Sequence, residues 1–387
     1  MTTLPTPNEF AVAHSQQLMH LLHQEIAGAG GYISFARFME LALYAPGLGY
    51  YSAGSHKLGR KGDFITAPEI SPLFAQCIAK QCQQIFTTLQ QSDILEIGAG
   101  SGKLMCDLLQ ALAKLNALPT HYFILEISAD LRQKQYELLQ QTCPEFSHRV
   151  QWLDTLPTLD FQGVILANEV MDALPVHLFQ IDENQIKERC VTLKNNQLNW
   201  QLTEPTTRDL TAALTVIQQD AALENGYTSE VNLLLAPWVN SISAILSKGV
   251  ILLFDYGYGR QEYYHPERNT GTLMCYYQHR RHENPFELVG LQDITAHVDF
   301  TQVVESGMDA GLDLAGYTTQ AAFLLACGIT EFETDQLDAV QQYQQSQAIK
   351  LLTLPSQMGE AIKVMALSKA IDTPLLGFHL YDRRKDL

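Results

Sequence analysis

The segment Asp93-Ile-Leu-Glu-Ile-Gly-Ala-Gly-Ser-Gly102 constrains this chain more than any other. A short apolar run, Ile94 to Ile97, reads as a buried strand, and the residues from Lys103 to Leu115 read as a helix. A glycine-rich turn between a strand and a helix lets a ligand approach the backbone, because glycine has no Cβ and tolerates φ > 0. Gly98, Gly100 and Gly102 build that turn, with Ala99 inside it and Glu96 two residues ahead. A dinucleotide fingerprint would need GxGxxG, but Lys103 stands where its third glycine belongs. No phosphate-binding GxxxxGK[ST] is present either. Taken alone, the turn leaves a dinucleotide enzyme open.

The rhythm of strand, turn and helix continues. Tyr122 to Glu126, Val150 to Leu153, Gly163 to Ala167 and Val250 to Phe254 read as further buried strands, with a helix over 129–141. Such alternation predicts an α/β fold around a doubly wound, Rossmann-like parallel sheet. Ahead of it, helices over 8–27, 34–43 and 72–89 suggest an N-terminal helical cap and cofactor lid spanning 1–90, with Ser34 as a helix N-cap. The domain proper would cover 91–387. Its insertions are an antiparallel meander near 177–203, a polar segment near 261–295 and helices near 319–353. A helix over 230–247, an edge strand over 313–318 and a last strand over 361–367 complete the expectation.

Ligands of open α/β sheets bind beyond the carboxyl ends of the strands. Glu126 closes the second strand, where a carboxylate can accept both hydroxyls of a ribose. Asp154 follows the third, in position to meet an adenine amino group. Each acid alone could be a solvated strand end. With Glu96, they make three acids on consecutive strands.

Bulk properties exclude several classes. A charged fraction of 17% and a hydrophobic fraction of 46% describe a globular chain. No apolar run reaches the roughly 18 residues of a membrane span, so no membrane insertion is expected. The first basic residue is Arg37, which leaves neither a signal nor a transit peptide readable; a cytoplasmic location is expected. The formal net charge of −17 disfavours nucleic acid and favours cationic partners, though it also serves solubility. The 7 cysteines are scattered without a CxxC pair, which suits reduced thiols. His20/His23 and His279/His282 lack companion ligands, so no metal site is expected.

Several segments together resemble one family. They are Phe38 to Tyr51, Gly62 to Phe74, Glu96 to Gly102, Ala167 to Val176, Phe254 to Gly259 and Asp293 to Phe300. In this order they resemble the MidA-like methyltransferases, whose mitochondrial members assist assembly of respiratory complex I. The ExGxGxG turn is likewise the form seen in class I methyltransferases. The resemblance implies S-adenosyl-L-methionine as cofactor and methylation of a protein arginine to symmetric dimethylarginine, on a complex I subunit in the mitochondrial relatives. A homodimer is compatible with it.

It also gives the acids after the fourth strand a role. Paired carboxylates gripping a guanidinium would orient one nitrogen and draw its charge away from the attacking lone pair. Glu169 and Asp172 stand where arginine methyltransferases place such a clamp. Alternatively, Asp172 or Asn168 caps the following turn. Asn168 is assigned to the cofactor site. Gly62 to Ser71 lacks apolar periodicity and is assigned to a lid, with Phe64 and Thr66 over the cofactor. His297 and Asp299 could pair near the substrate or belong to a turn, and Tyr256 and Tyr258 wall the channel or pack. Two other readings stay open: a small-molecule methyltransferase, and an assembly factor that binds the cofactor without essential catalysis.

Overall fold

A computed structural model describes residues 4–52, 66–89, 92–158, 160–220, 223–332 and 338–387. Seven strands form the central sheet: β1 (Asp93–Ile97), β2 (Tyr122–Leu125), β3 (Val150–Leu153), β4 (Phe161–Asn168), β5 (Leu246–Tyr258), β6 (Asp313–Thr319) and β7 (Ile362–Lys369). Their spatial order is β3-β2-β1-β4-β5-β7-β6. The first five run parallel, and β7 is antiparallel to both neighbours. A two-residue strand, Val298–Asp299, extends the sheet beside the end of β5.

Central parallel strands are covered on both faces, which explains their unbroken apolar sequence. Val250 to Phe254 in β5 and Val164 to Ala167 in β4 are buried throughout. Helices Pro72–Phe86 and Lys103–Lys114 cover one face, and Leu235–Ile245 and Phe300–Asp309 the other. Helix Pro72–Phe86, read with the N-terminal cap from sequence, thus belongs to the sheet's own core.

The remaining N-terminal elements join the insertions. Helices Glu9–Gly28 and Phe35–Tyr44 flank the strand Tyr32–Ser34, and Ser34 caps the second helix by accepting from Arg37 N at 3.1 Å. That strand pairs with Gln185–Lys194 of the meander His177–Asp182, Gln185–Lys194 and Gln197–Thr203. Cap and meander therefore share a core. The segment expected to be helical from 230 begins instead as the strand Thr228–Val231, which pairs with His177–Asp182 and buries Glu230; the helix starts at Leu235. A small antiparallel sheet, Met274–Tyr277, Arg280–His282 and Asp293–Thr295, fills the polar insertion. The third insertion holds helices Gln320–Ala326 and Ala339–Thr353.

Candidate active site

The chain order of the sheet reverses between β1 and β4, and ligands of such sheets bind at that switch. Both strands end on one cavity of about 400 Å³. The turn after β1 needs its glycines: Gly98, Gly100 and Gly102 have φ of 67°, 53° and 83°. Space adds a second requirement, since a Cβ on Gly98 would lie 3.0 Å from Val170 Cγ2 and one on Gly102 3.2 Å from Gln135 Cα. Gly98, Ala99 and Gly100 line the cavity, while Gly102 starts helix Lys103–Lys114 behind them.

Gln135 ties this turn to Glu126. Its amide donates to Gly100 O at 2.9 Å and to Glu126 Oε2 at 3.1 Å, while Trp152 Nε1 donates to its carbonyl at 2.8 Å. Ser128 N donates to the other oxygen of Glu126 at 3.0 Å. Burial holds Glu126 above the usual carboxylate range despite these donors. Glu96 is pushed up to about 7 by burial, which the hydrogen bond from Tyr122 at 2.7 Å opposes and the charge of Glu126 reinforces. Asn168 Oδ1 is buried without a hydrogen-bond partner among the described residues, while its Nδ2 donates to Glu169 at 3.3 Å.

Thr66, Pro68 and Glu69 also line this cavity, and the Ser101 hydroxyl of the glycine turn donates to Glu69. Phe64, the other lid residue expected, lies outside the described residues. These residues fit S-adenosyl-L-methionine. A backbone without Cβ allows close approach, Glu126 offers acceptor oxygens for a ribose, and Asn168 retains an unused acceptor. Ile127 and Leu131 add apolar walls.

A second cavity, of about 350 Å³, shares Tyr51 and Glu169 with the first. Glu169, Asp172 and Asp293 line it. Glu169 has φ 53°, a left-handed conformation that costs a bulky residue roughly 1–3 kcal/mol and persists only where the surroundings hold it. The end of β5 does so. Glu169 N donates to Phe254 O at 2.8 Å, and Asp255 Oδ2 accepts from the amides of Val170, Met171 and Asp172 at 3.2, 2.8 and 3.3 Å.

Burial pushes Glu169 up to about 8, and repulsion from Asp172 adds to it. Asp172 is raised well above its ordinary value by burial and by Asp255, and burial lifts Asp255 to about 8. Among the described residues, no lysine, arginine or histidine makes an ion pair with Glu169 or Asp172. Arg281 and His279 line the same cavity as these acids.

Two expected site residues stand elsewhere. Asp154 does not line the cofactor cavity; its side chain is 89% exposed and bound by Arg132 at 2.7 Å. Asp299 forms no pair with His297. It caps helix Phe300–Asp309 by accepting from Gln302 N at 3.2 Å, and it binds Arg260 at 3.1 Å. His297 does line the second cavity, with Nδ1 buried and without a hydrogen-bond partner among the described residues, and burial lowers its pKa to about 4. Tyr256 lines that cavity as well. Tyr258 instead packs beneath Arg268, 4.0 Å from its ring centre.

Other residues of the site were not singled out from sequence. Asp255 and Asp293 lay within segments carrying the family resemblance, but no local pattern set them apart from their neighbours. Tyr51 and Trp238 reach the cofactor cavity through packing alone.

Comparison with known proteins agrees with this geometry. Residues 77–318 match the model of a family described as "Putative S-adenosyl-L-methionine-dependent methyltransferase". A protein arginine methyltransferase NDUFAF7 of Danio rerio mitochondria is 29% identical over 90% of this chain and 86% of its own. The human protein of that name is 27% identical over 90% and 82%. A crystal structure described as a "likely methyl transferase from Burkholderia thailandensis bound to S-adenosyl-homocysteine" superposes over 100% of both chains, with a TM-score of 0.95 and 42% identity.

Proposed function

The chain belongs to this family of S-adenosyl-L-methionine-dependent methyltransferases, and we propose that the methyl group it transfers goes to an arginine side chain of a protein. One observation carries the acceptor: a cavity lined by Glu169 and by the buried carboxylates Asp172 and Asp293 meets the cofactor cavity at Glu169. A buried carboxylate beside like charges is held partly protonated, and a cation restores its charged form. A guanidinium, with a pKa above about 12 and five donors in a planar fork, is the protein group best matched to such a floor. The name carried by the animal relatives supports the same reading.

S-adenosyl-L-methionine supplies an electrophilic methyl group on sulfur. The chain's own residues then have three tasks. Glu126 and the glycine turn bind the cofactor. Glu169 and Asp172 grip the guanidinium, so that one nitrogen faces the junction and its positive charge is drawn toward the carboxylates. Tyr51 and Tyr256 help exclude water from the cavity in which this happens.

We extend the proposal to symmetric dimethylation of a respiratory complex I subunit, in the cytoplasm, by a protein capable of forming a homodimer. The buried, unbridged state of all 7 cysteines supports a reducing compartment.

Labelled methyl transfer from S-adenosyl-L-methionine into a lysate of cells lacking the protein tests the reading. Label in a protein band that mass spectrometry assigns to methylarginine is expected. Label only in small molecules would replace the proposal with a small-molecule methyltransferase. No label, with S-adenosyl-homocysteine still bound, would replace it with a cofactor-binding assembly factor.

A further inference from the structure

We propose that Arg281 is a specificity-determining residue, which binds the carboxylate of an aspartate or glutamate close in sequence to the target arginine of the protein substrate; this rests on the arginine reading above. The small inserted sheet lays one face on the substrate cavity. Arg281, on the edge strand Arg280–His282, stands opposite Tyr276, and Tyr276 stands opposite Asp293 on the other edge strand. Residues directly opposite in antiparallel strands point to the same face, and all three line the cavity. Met274 and Thr295, opposite each other two residues along, line it as well. The alternate residues Cys275 and Ile294 point the other way, into the core shared by cap and meander.

This row is graded in depth and in charge. Asp293 is buried at one end, and Arg281 is exposed at the other. Both signs of charge reach Tyr276 between them: burial raises its pKa, Asp172 and Asp293 raise it further, and Arg281 opposes them. Among the described residues Arg281 enters no ion pair. The hairpin fixes its place. Gln278 and His279, with φ of 46° and 61°, form the two-residue turn between Tyr277 and Arg280. A strand slipped by one residue would send Arg281 to the opposite face. His279, at the tip, lines the cavity too.

A cavity acidic in its depth and cationic on its exposed wall suits an occupant that carries both charges. An arginine side chain reaching toward Glu169 and Asp172 brings its own backbone past Arg281. A second basic residue there is repelled, whereas a carboxylate accepts the planar guanidinium fork. Two strand spacings, about 10 Å, separate the positions of Arg281 and Asp293, the length of roughly three residues of extended chain. The favoured acid therefore lies within about three residues of the target arginine. Such selection has a use in this chain. Its net charge of −17 draws in basic sequences of every kind, and Arg281 works against that indiscriminate pull.

The test is calorimetric titration of the protein, loaded with S-adenosyl-homocysteine, with a series of short peptides. The parent is an acetylated, amidated heptapeptide of glycine with arginine at its centre; the others carry one glutamate, or one lysine, at each remaining position in turn. At low salt, glutamate at one or more positions should tighten binding about two- to fivefold over the parent, as an exposed ion pair does, and lysine there should weaken it. The preference should shrink as salt is added. It should vanish in Arg281→Gln, and in Arg281→Glu lysine should replace glutamate as the favoured neighbour. Arg281 does not line the cofactor cavity, so S-adenosyl-homocysteine binding reports whether each variant is folded. Loss of that binding in both variants would make Arg281 a structural residue and overturn its proposed role. Equal affinity for all peptides in the unaltered protein, or a glutamate preference that survives in folded Arg281→Gln, overturns it too and leaves the arginine reading standing. No binding of any arginine peptide at millimolar concentration by the unaltered, loaded protein sinks the arginine reading and this inference with it.

Discussion

At residue scale the cofactor turn and the acidic floor obey different physics. The turn is a matter of sterics. Gly100, at φ 53°, lines the cavity and offers its carbonyl to Gln135. A β-branched residue there is strained in its backbone and intrudes on the ligand. Gly100→Val should therefore abolish binding of S-adenosyl-L-methionine in calorimetry; unchanged affinity would place the cofactor elsewhere. The floor is a matter of charge. Glu169→Gln and Asp172→Asn keep side-chain shape, so cofactor affinity should stay near that of the unaltered protein. Methylation of an arginine-bearing protein should fall by roughly ten- to a hundredfold, the worth of one charge-assisted hydrogen bond felt in the transition state. If Asp172 only caps its turn, Asp172→Asn will turn over normally, since asparagine caps about as well.

At the scale of elements, the active loop is held from the neighbouring strand. Residues 169–172 follow β4, yet the amides of Val170, Met171 and Asp172 converge on Asp255 near the end of β5. Asp255 is a positioning residue: it sets where Glu169 and Asp172 point and does not itself line the substrate cavity. Asp255→Ala leaves three amides without their acceptor, each worth about 1–3 kcal/mol if it stays buried. The variant should melt at a lower temperature. If the loop is misplaced as predicted, kcat should fall more than affinity for S-adenosyl-homocysteine. Equal losses of both, or of neither, would show that Asp255 does not act through the loop. Glu169 and Asp172 could be read in sequence because both lie within four residues of a strand that its apolar run announces. Asp255 and Asp293 could not. Their roles depend on which segments the fold brings alongside them, 83 and 121 residues from Asp172.

At the scale of the whole molecule, the acidic site makes stability depend on pH. Glu96 at about 7, Glu169 at about 8 and Asp255 at about 8 all titrate above their unfolded values. The folded state therefore binds more protons than the unfolded one between about pH 4 and 8. The stability this confers is fully present below the unfolded pKa and is lost as pH rises through 7 to 8. His297, lowered to about 4, acts at the acid side; above about pH 6.5 it is largely neutral in both states. Melting of the ligand-free protein should accordingly fall from pH 6.5 to 9, and less steeply in Glu169→Gln. A slope unchanged by that substitution would show that Glu169 ionises normally in the folded protein.

By itself the sequence determined the α/β alternation, the strand–glycine–helix turn and the acids that flank it. These are local properties: apolar periodicity declares a strand or a helix, and glycine takes φ near +60° without a steric penalty while leaving room for a ligand. Tertiary structure decided which carboxylates converge. Asp154 follows a strand as Glu126 and Glu169 do, and Asp299 ends one, but Arg132 and Arg260 capture them, and Asp299 also caps a helix. Asp293, from a distant insertion, enters the cavity instead. A carboxylate's role depends on the nearest cation, amide or like charge, and those neighbours are set by packing between segments remote in sequence.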